Sequence, residues 1–139
     1  MVDRELLSRK ISKLTNYIDE LQKADDIDWN RYQQDSRSRA FVERYLHLAI
    51  ETVFDICNHL VSFHGWREPS GYRDLVLVLC ENGVLPADSL ADFQNMASFR
   101  NMLVHHYDKI DDELVYGIFR KRLGDFALFV DLIKKWIGS

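Results

Sequence analysis

Two groups of side chains in this 139-residue sequence have the types and the spacing to do chemistry. The first is Arg100 and His105, in the run Phe99-Arg100-Asn101-Met102-Leu103-Val104-His105-His106-Tyr107-Asp108. Arginine's planar fork of donors fits a phosphate or a carboxylate, and histidine exchanges protons near neutral pH. The spacing is loose, however. From spacing alone, a helix end with Met96, Phe99, Leu103 and Tyr107 in the core accounts for it better. Residues five apart lie about 140° around an ideal helix and about 7.5 Å along it. Arg100 and His105 therefore converge on one phosphate only if the helix is distorted, if it ends near His105, or if two subunits pool residues across a symmetric cleft. Arg100 and Tyr107 are about 20° apart on the same ideal helix.

The second group is an i, i+4 ladder of His47, Glu51, Asp55 and His59. Such a ladder can present metal ligands from one helix face, as carboxylate-bridged bundles do. Each step drifts by about 40°, so His47 and His59 end about 120° apart. No matching Glu-x-x-His stands on another helix. No metal is expected here.

The elements that hold these residues read as helices. Leu7, Ile11, Leu14, Ile18 and Leu21 recur at helical spacing from about Asp3 to Lys23, and Asp25-Asp26-Ile27-Asp28 breaks that pattern. A second helix runs from Asp35 or Ser36 to about His64, ended by Gly65. Ser70 to Asn82 has strand propensity in its Leu-Val-Leu-Val-Leu centre, but Gly83 fits a helix C-terminus, and a short helix is expected. Pro86 opens the helix that carries Arg100, continuing to about Tyr107. A last helix runs from about Asp111 to the end. The fold class is all-α, a single-domain bundle (1–139) of four or five helices.

The second helix is apolar nearly all round. Val42, Tyr45, Ala49, Val53, Ile56, Leu60 and Phe63 make one stripe, and Leu46, Ile50, Phe54, Cys57 and Val61 a second. A small domain has little interior for both, so part of this helix is expected at a homodimer interface. Its remaining face is a polar line of Arg44, His47, Glu51, Asp55, Asn58 and Ser62. That line either meets water or borders a cleft.

Composition sets limits. A net charge of −4 argues against a protein that coats nucleic acid through phosphate contacts, so any such contact is local. The opening Met1-Val2-Asp3-Arg4-Glu5 does not read as a signal peptide. The longest apolar run, Leu75 to Cys80, is too short to cross a bilayer. Cys57 and Cys80 lack metal-ligand spacing and read as buried thiols of a reducing cytoplasm.

The string Met96-Ala97-x-Phe99-Arg100-Asn101-x-Leu103-Val104-His105-x-Tyr107 resembles the HepT toxins among the HEPN ribonucleases, whose signature is Arg-x(4–6)-His. Two other segments resemble them too. One is Val42-Glu43-Arg44-Tyr45-Leu46-x-Leu48-Ala49-Ile50-Glu51-x-x-x-Asp55-Ile56-x-Asn58-His59; the other is Ser70-Gly71-Tyr72-Arg73-Asp74 with Gly83-Val84-Leu85 and Leu90. The family register selects His105 over His106.

That resemblance implies a HEPN-like bundle and a toxin of the type VII-like toxin–antitoxin class. It implies a metal-independent endoribonuclease, with no cofactor, that uses the substrate's own 2′-OH. His105 would be the general acid–base, Arg100 would hold the scissile phosphate, and Asn101, Asp55 and Asn58 would support them. An MntA-type nucleotidyltransferase partner would silence it by AMP transfer to Tyr107. The partners expected are RNA, a second copy and that antitoxin, with neither DNA nor membrane. Lys109, Arg120, Lys121 and Arg122 either supply a local positive field or form a solvated face. The alternative is a non-catalytic module that binds nucleotide or substrate for a nucleotidyltransferase.

Overall fold

Four helices open on an aspartate whose carboxylate accepts an N–H of the first turn: Asp3, Asp28, Asp35 and Asp111. Each such cap stabilises its helix by about 1 kcal/mol. In the computed structural model, residues 3–105 and 107–138 are described, Tyr107 by its backbone only, and among them there is no strand.

The helices are α1 (Arg4–Lys23), α2 (Trp29–Gln34), α3 (Ser36–His64), α4 (Tyr72–Glu81), α5 (Leu90–His105), α6 (Asp112–Lys121) and α7 (Leu123–Gly138). Short 3-10 turns at Ala87–Ser89 and Tyr107–Lys109 flank α5. The all-α expectation holds, and so does the short helix expected at 70–82. Among the described residues seven α-helices replace the four or five expected, for two physical reasons. Asp28 starts a helix of only six residues, too short to show a periodicity. The last expected helix divides at Arg122, which leaves helical geometry (φ −120°, ψ 9°) and separates α6 from α7. The buried residues Val115 and Phe119 of α6 and Phe126, Phe129 and Ile133 of α7 stay in helical phase across the break, so their spacing does not mark it.

α3 is the axis of the fold. It touches each of the other six α-helices. Both of its apolar stripes are covered within the chain over most of their length, since Val42, Leu46, Ile50, Val53, Ile56, Cys57 and Leu60 are each no more than 2% exposed, while Phe63 near the helix end is 39% exposed. The apolar surplus that suggested a subunit interface on this helix is thus absorbed by neighbouring helices. Six neighbours give a 29-residue helix far more interior than an ordinary amphipathic packing would. Gly65 ends α3 at φ 65°, where a side chain would be strained, and the Trp66 N–H reaches back to the Val61 carbonyl at 3.2 Å.

Polar contacts fix α4 against α5. Arg73 donates to Ser98 Oγ at 2.7 Å and to the Gln94 carbonyl at 3.2 Å, and Gln94 Nε2 returns a bond to the Arg73 carbonyl. At the start of α4, Asp74 accepts from both terminal nitrogens of Arg67 at 2.8 Å and from the Ser70 N–H at 2.9 Å. These bonds set the position of Tyr72, the first residue of α4. No described helix is long and apolar enough to cross a membrane.

Candidate active site

Arg100 leaves α5 on the side facing α3 and α4. Its Nε donates to Glu51 Oε1 at 2.8 Å, and its Nη1 has a longer contact, 3.4 Å, with Asn101 Oδ1. The guanidinium carbon lies 4.2 Å from the centre of the Tyr72 ring. The other side of this arrangement is apolar, since the Tyr72 ring packs 5.1 Å from Phe54 on α3. With its side chain 14% exposed, Arg100 is partly withdrawn from water, yet Nη2 bonds to nothing among the described residues.

His105 is the last residue of α5 and is exposed. The helix ends at the histidine, but Arg100 and His105 both stand within it. Met96, Phe99 and Leu103 fill the core side of α5, as expected. Tyr107 belongs by its backbone to the next 3-10 turn, so its ideal-helix offset from Arg100 no longer applies. His106 and the Tyr107 side chain lie outside the described residues.

Among the expected supports, Asn101 sits beside Arg100, but Asp55 does not. Asp55 is 3.8 Å from Lys10 Nζ of α1, and Asn58 is exposed. The carboxylate that meets Arg100 is Glu51, one turn earlier. A four-residue step turns about 40° around the helix, enough to aim Glu51 at α5 and Asp55 toward α1. Glu51 and Tyr72 are the site residues that reading the sequence alone missed. Both stand in the quoted segments, but their meeting with Arg100 joins three helices.

The ladder on α3 does not act as a unit. His47 Nε2 lies 3.4 Å from Glu51 Oε1, Asp55 turns to Lys10, and His59 Nε2 is buried with no partner among the described residues. No three His, Cys, Asp or Glu side chains among the described residues gather as metal ligands. The basic cluster also divides. Arg122 is paired with Asp92 at 2.7 Å and Asp125 at 3.1 Å, and Arg120 donates to the Asp25 carbonyl, whereas Lys109 and Lys121 are exposed.

Burial raises the Cys57 thiol well above its usual range and raises Cys80 as well, so neither is poised as a nucleophile.

Among the described residues the chain is an all-helical bundle in which Arg100 meets the axial helix α3 and His105, five residues on, ends α5, an arrangement that agrees with the HEPN ribonucleases. The profile of the family described as Ribonuclease HepT-like matches residues 14–133, and the chain belongs to that family. It is similar to the mRNA nuclease HepT of Shewanella oneidensis, 25% identical over 130 residues that cover 94% of this chain and 97% of that protein. It is also similar to the tRNA nuclease HepT of Aphanizomenon flos-aquae, 22% identical over 98% of this chain and 92% of that one. Among solved structures it resembles the tri-AMPylated HEPN toxin of Shewanella oneidensis in complex with an MNT antitoxin. That match has a TM-score of 0.84 and 26% identity, and covers 97% of this chain and 99% of the toxin.

Proposed function

We propose that this chain is the toxin of a toxin–antitoxin pair, an endoribonuclease that cuts RNA in the cytoplasm without a metal ion. Arg100 holds the scissile phosphate through its outer nitrogens. His105 takes the proton from the ribose 2′-OH as that oxygen attacks phosphorus, and returns a proton to the departing 5′-oxygen, leaving a 2′,3′-cyclic phosphate. Asn101 steadies the guanidinium. The observation that carries this reading is Arg100 itself: a half-buried guanidinium fixed at its inner edge and open at its outer edge, on the helix that His105 ends.

The working form is a homodimer. Among the described residues a largely apolar groove of about 580 Å3 lies between α5, α6 and α7, lined by Met102, Leu114, Ile118 and Phe126 among others. Pairing there brings a second copy beside α5, which relieves the angular separation of Arg100 and His105. An MntA-type nucleotidyltransferase is the antitoxin, and it silences the toxin by adding AMP to Tyr107. This follows the family signature and the similarity to a toxin solved tri-AMPylated with an MNT antitoxin.

The test is cleavage of RNA by purified protein in excess chelator. Arg100→Ala and His105→Ala are each expected to lower the rate at least a hundredfold with helix content unchanged, and His106→Ala to change it little. Cleavage that needs an added divalent metal, or that survives His105→Ala, refutes the mechanism.

A further inference from the structure

Two residues that the cleavage chemistry does not use hold Arg100, and one of them is a carboxylate. A guanidinium carries five N–H donors in one plane. Glu51 takes the Nε donor at 2.8 Å, Asn101 approaches Nη1 at 3.4 Å, and Nη2 has no partner among the described residues. The Tyr72 ring lies along one face at 4.2 Å. The guanidinium is thereby held on two sides, and Nη2, with the Nη1 proton that the long Asn101 contact does not use, is what it has to offer a phosphate.

Glu51 has a second neighbour on its own helix. His47, one turn earlier on α3, places Nε2 3.4 Å from the same Oε1 that accepts from Arg100. The ladder on α3 thus finds a use for its first two members in orientation.

A negative charge bonded to a phosphate-binding arginine has an electrostatic cost. It weakens the attraction for an incoming phosphate, and at 34% side-chain exposure water screens that effect only in part. A site built for RNA affinity alone gains nothing from it. Catalysis gains, because a fixed donor needs no reorganisation as charge develops on the phosphate.

We infer that Glu51 is a positioning residue for the cleavage: it holds the Arg100 guanidinium in its reactive orientation and raises turnover at the expense of RNA affinity. The inference rests on Arg100 as the residue that holds the scissile phosphate.

The experiment compares wild type, Glu51→Ala, Glu51→Gln and Arg100→Ala, using an RNA oligonucleotide that the wild type cuts and its fully 2′-O-methyl analogue, which has no nucleophile. Glu51→Ala is expected to lower kcat on the order of 10- to 100-fold, the size of effect that a small misplacement produces. It should bind the analogue as tightly as wild type, or more tightly. Glu51→Gln keeps an oxygen that can accept from Nε, and should recover kcat to within about fivefold of wild type while retaining the tighter binding. If the alanine variant does not fold, Glu51→Asp, one methylene short but still charged, is expected to lower kcat while binding the analogue as wild type does.

Parallel losses of binding and turnover would make Glu51 merely structural and overturn the inference. A glutamine variant as slow as alanine would make the carboxylate a proton acceptor, and would also overturn it. If Arg100→Ala is inactive and Glu51→Ala cuts like wild type, only this inference fails. If Arg100→Ala still cuts, the reading of the site fails and this inference with it.

Discussion

The guanidinium carbon of Arg100 lies over the ring of Tyr72, 4.2 Å from its centre, and Tyr72 is the first residue of a helix whose start is tied down by Asp74. A cation over an aromatic ring at a partly buried position stabilises the pair by about 1 kcal/mol. Tyr72→Phe keeps the ring and is expected to cut RNA within about threefold of wild type. Tyr72→Ala removes the floor under the guanidinium, and about 1.4 kcal/mol of lost positioning corresponds to a tenfold slower rate. Initial rates, with circular dichroism as the folding control, check this. If Phe is as slow as Ala, the hydroxyl rather than the ring is what matters.

The link between Asp74 and Arg67 gives a pH dependence of definite sign. The Arg67 guanidinium and then the Ser70 N–H hold the Asp74 carboxyl well below the usual carboxylate range. A group depressed in the folded state contributes stability above its unfolded pKa, about 3.9 for Asp, and that contribution is lost as pH falls further. Urea unfolding of the wild type should weaken as pH drops from 5 to 2.5. Asp74→Asn should be less stable at pH 7 and should show a shallower decline, so that the two converge in acid. Parallel curves would mean that the ion pair does not contribute to stability.

Leu114 is 45% exposed on the rim of the apolar groove beside α5. If that groove pairs two copies, Leu114→Arg puts two charges at the symmetric contact and should convert a dimer mass to a monomer mass in light scattering at low micromolar concentration. Cleavage should fall at least tenfold with it, because the two sites separate, while helix content is unchanged. A wild type that is already monomeric would remove the dimer from the proposal.

The difference between what the sequence displayed and what it hid follows the range of each interaction. The core stripe of α1, the cap at Asp35 and the stop at Gly65 are local, and each was legible from spacing and residue type. The helix at 72–81 was legible through Gly83 despite its β-branched centre, because a left-handed residue there (φ 78°) marks a helix end. α3 misled, because a helix surrounded by six others and a helix at a subunit interface have the same sequence. In the site, Arg100 and His105 were legible as a motif. Glu51 was not, since it meets Arg100 across 49 residues of sequence, and two carboxylates one turn apart on α3 are equivalent until the packing is known.

Tyr107 follows α5 by two residues, in the 3-10 turn Tyr107–Lys109, next to the exposed His105. In the proposed silencing, the Tyr107 oxygen bonds to the α-phosphorus of ATP, pyrophosphate leaves, and the phenolic proton passes to solvent. Each AMP adds a charged phosphodiester that can occupy the open edge of Arg100, together with a nucleoside that excludes RNA by volume. Tyr107→Phe is expected to fold and to cut RNA within about threefold of wild type, since the ring is kept and only an oxygen is lost. With the cognate nucleotidyltransferase and ATP present, wild type should lose activity at least a hundredfold, and the Phe variant should lose none. Intact mass of treated wild type should rise by whole AMP units that map to Tyr107, and that of the variant should not rise at all. AMP on another residue, or equal silencing of the Phe variant, would refute control through Tyr107 while leaving Arg100 and His105 untouched.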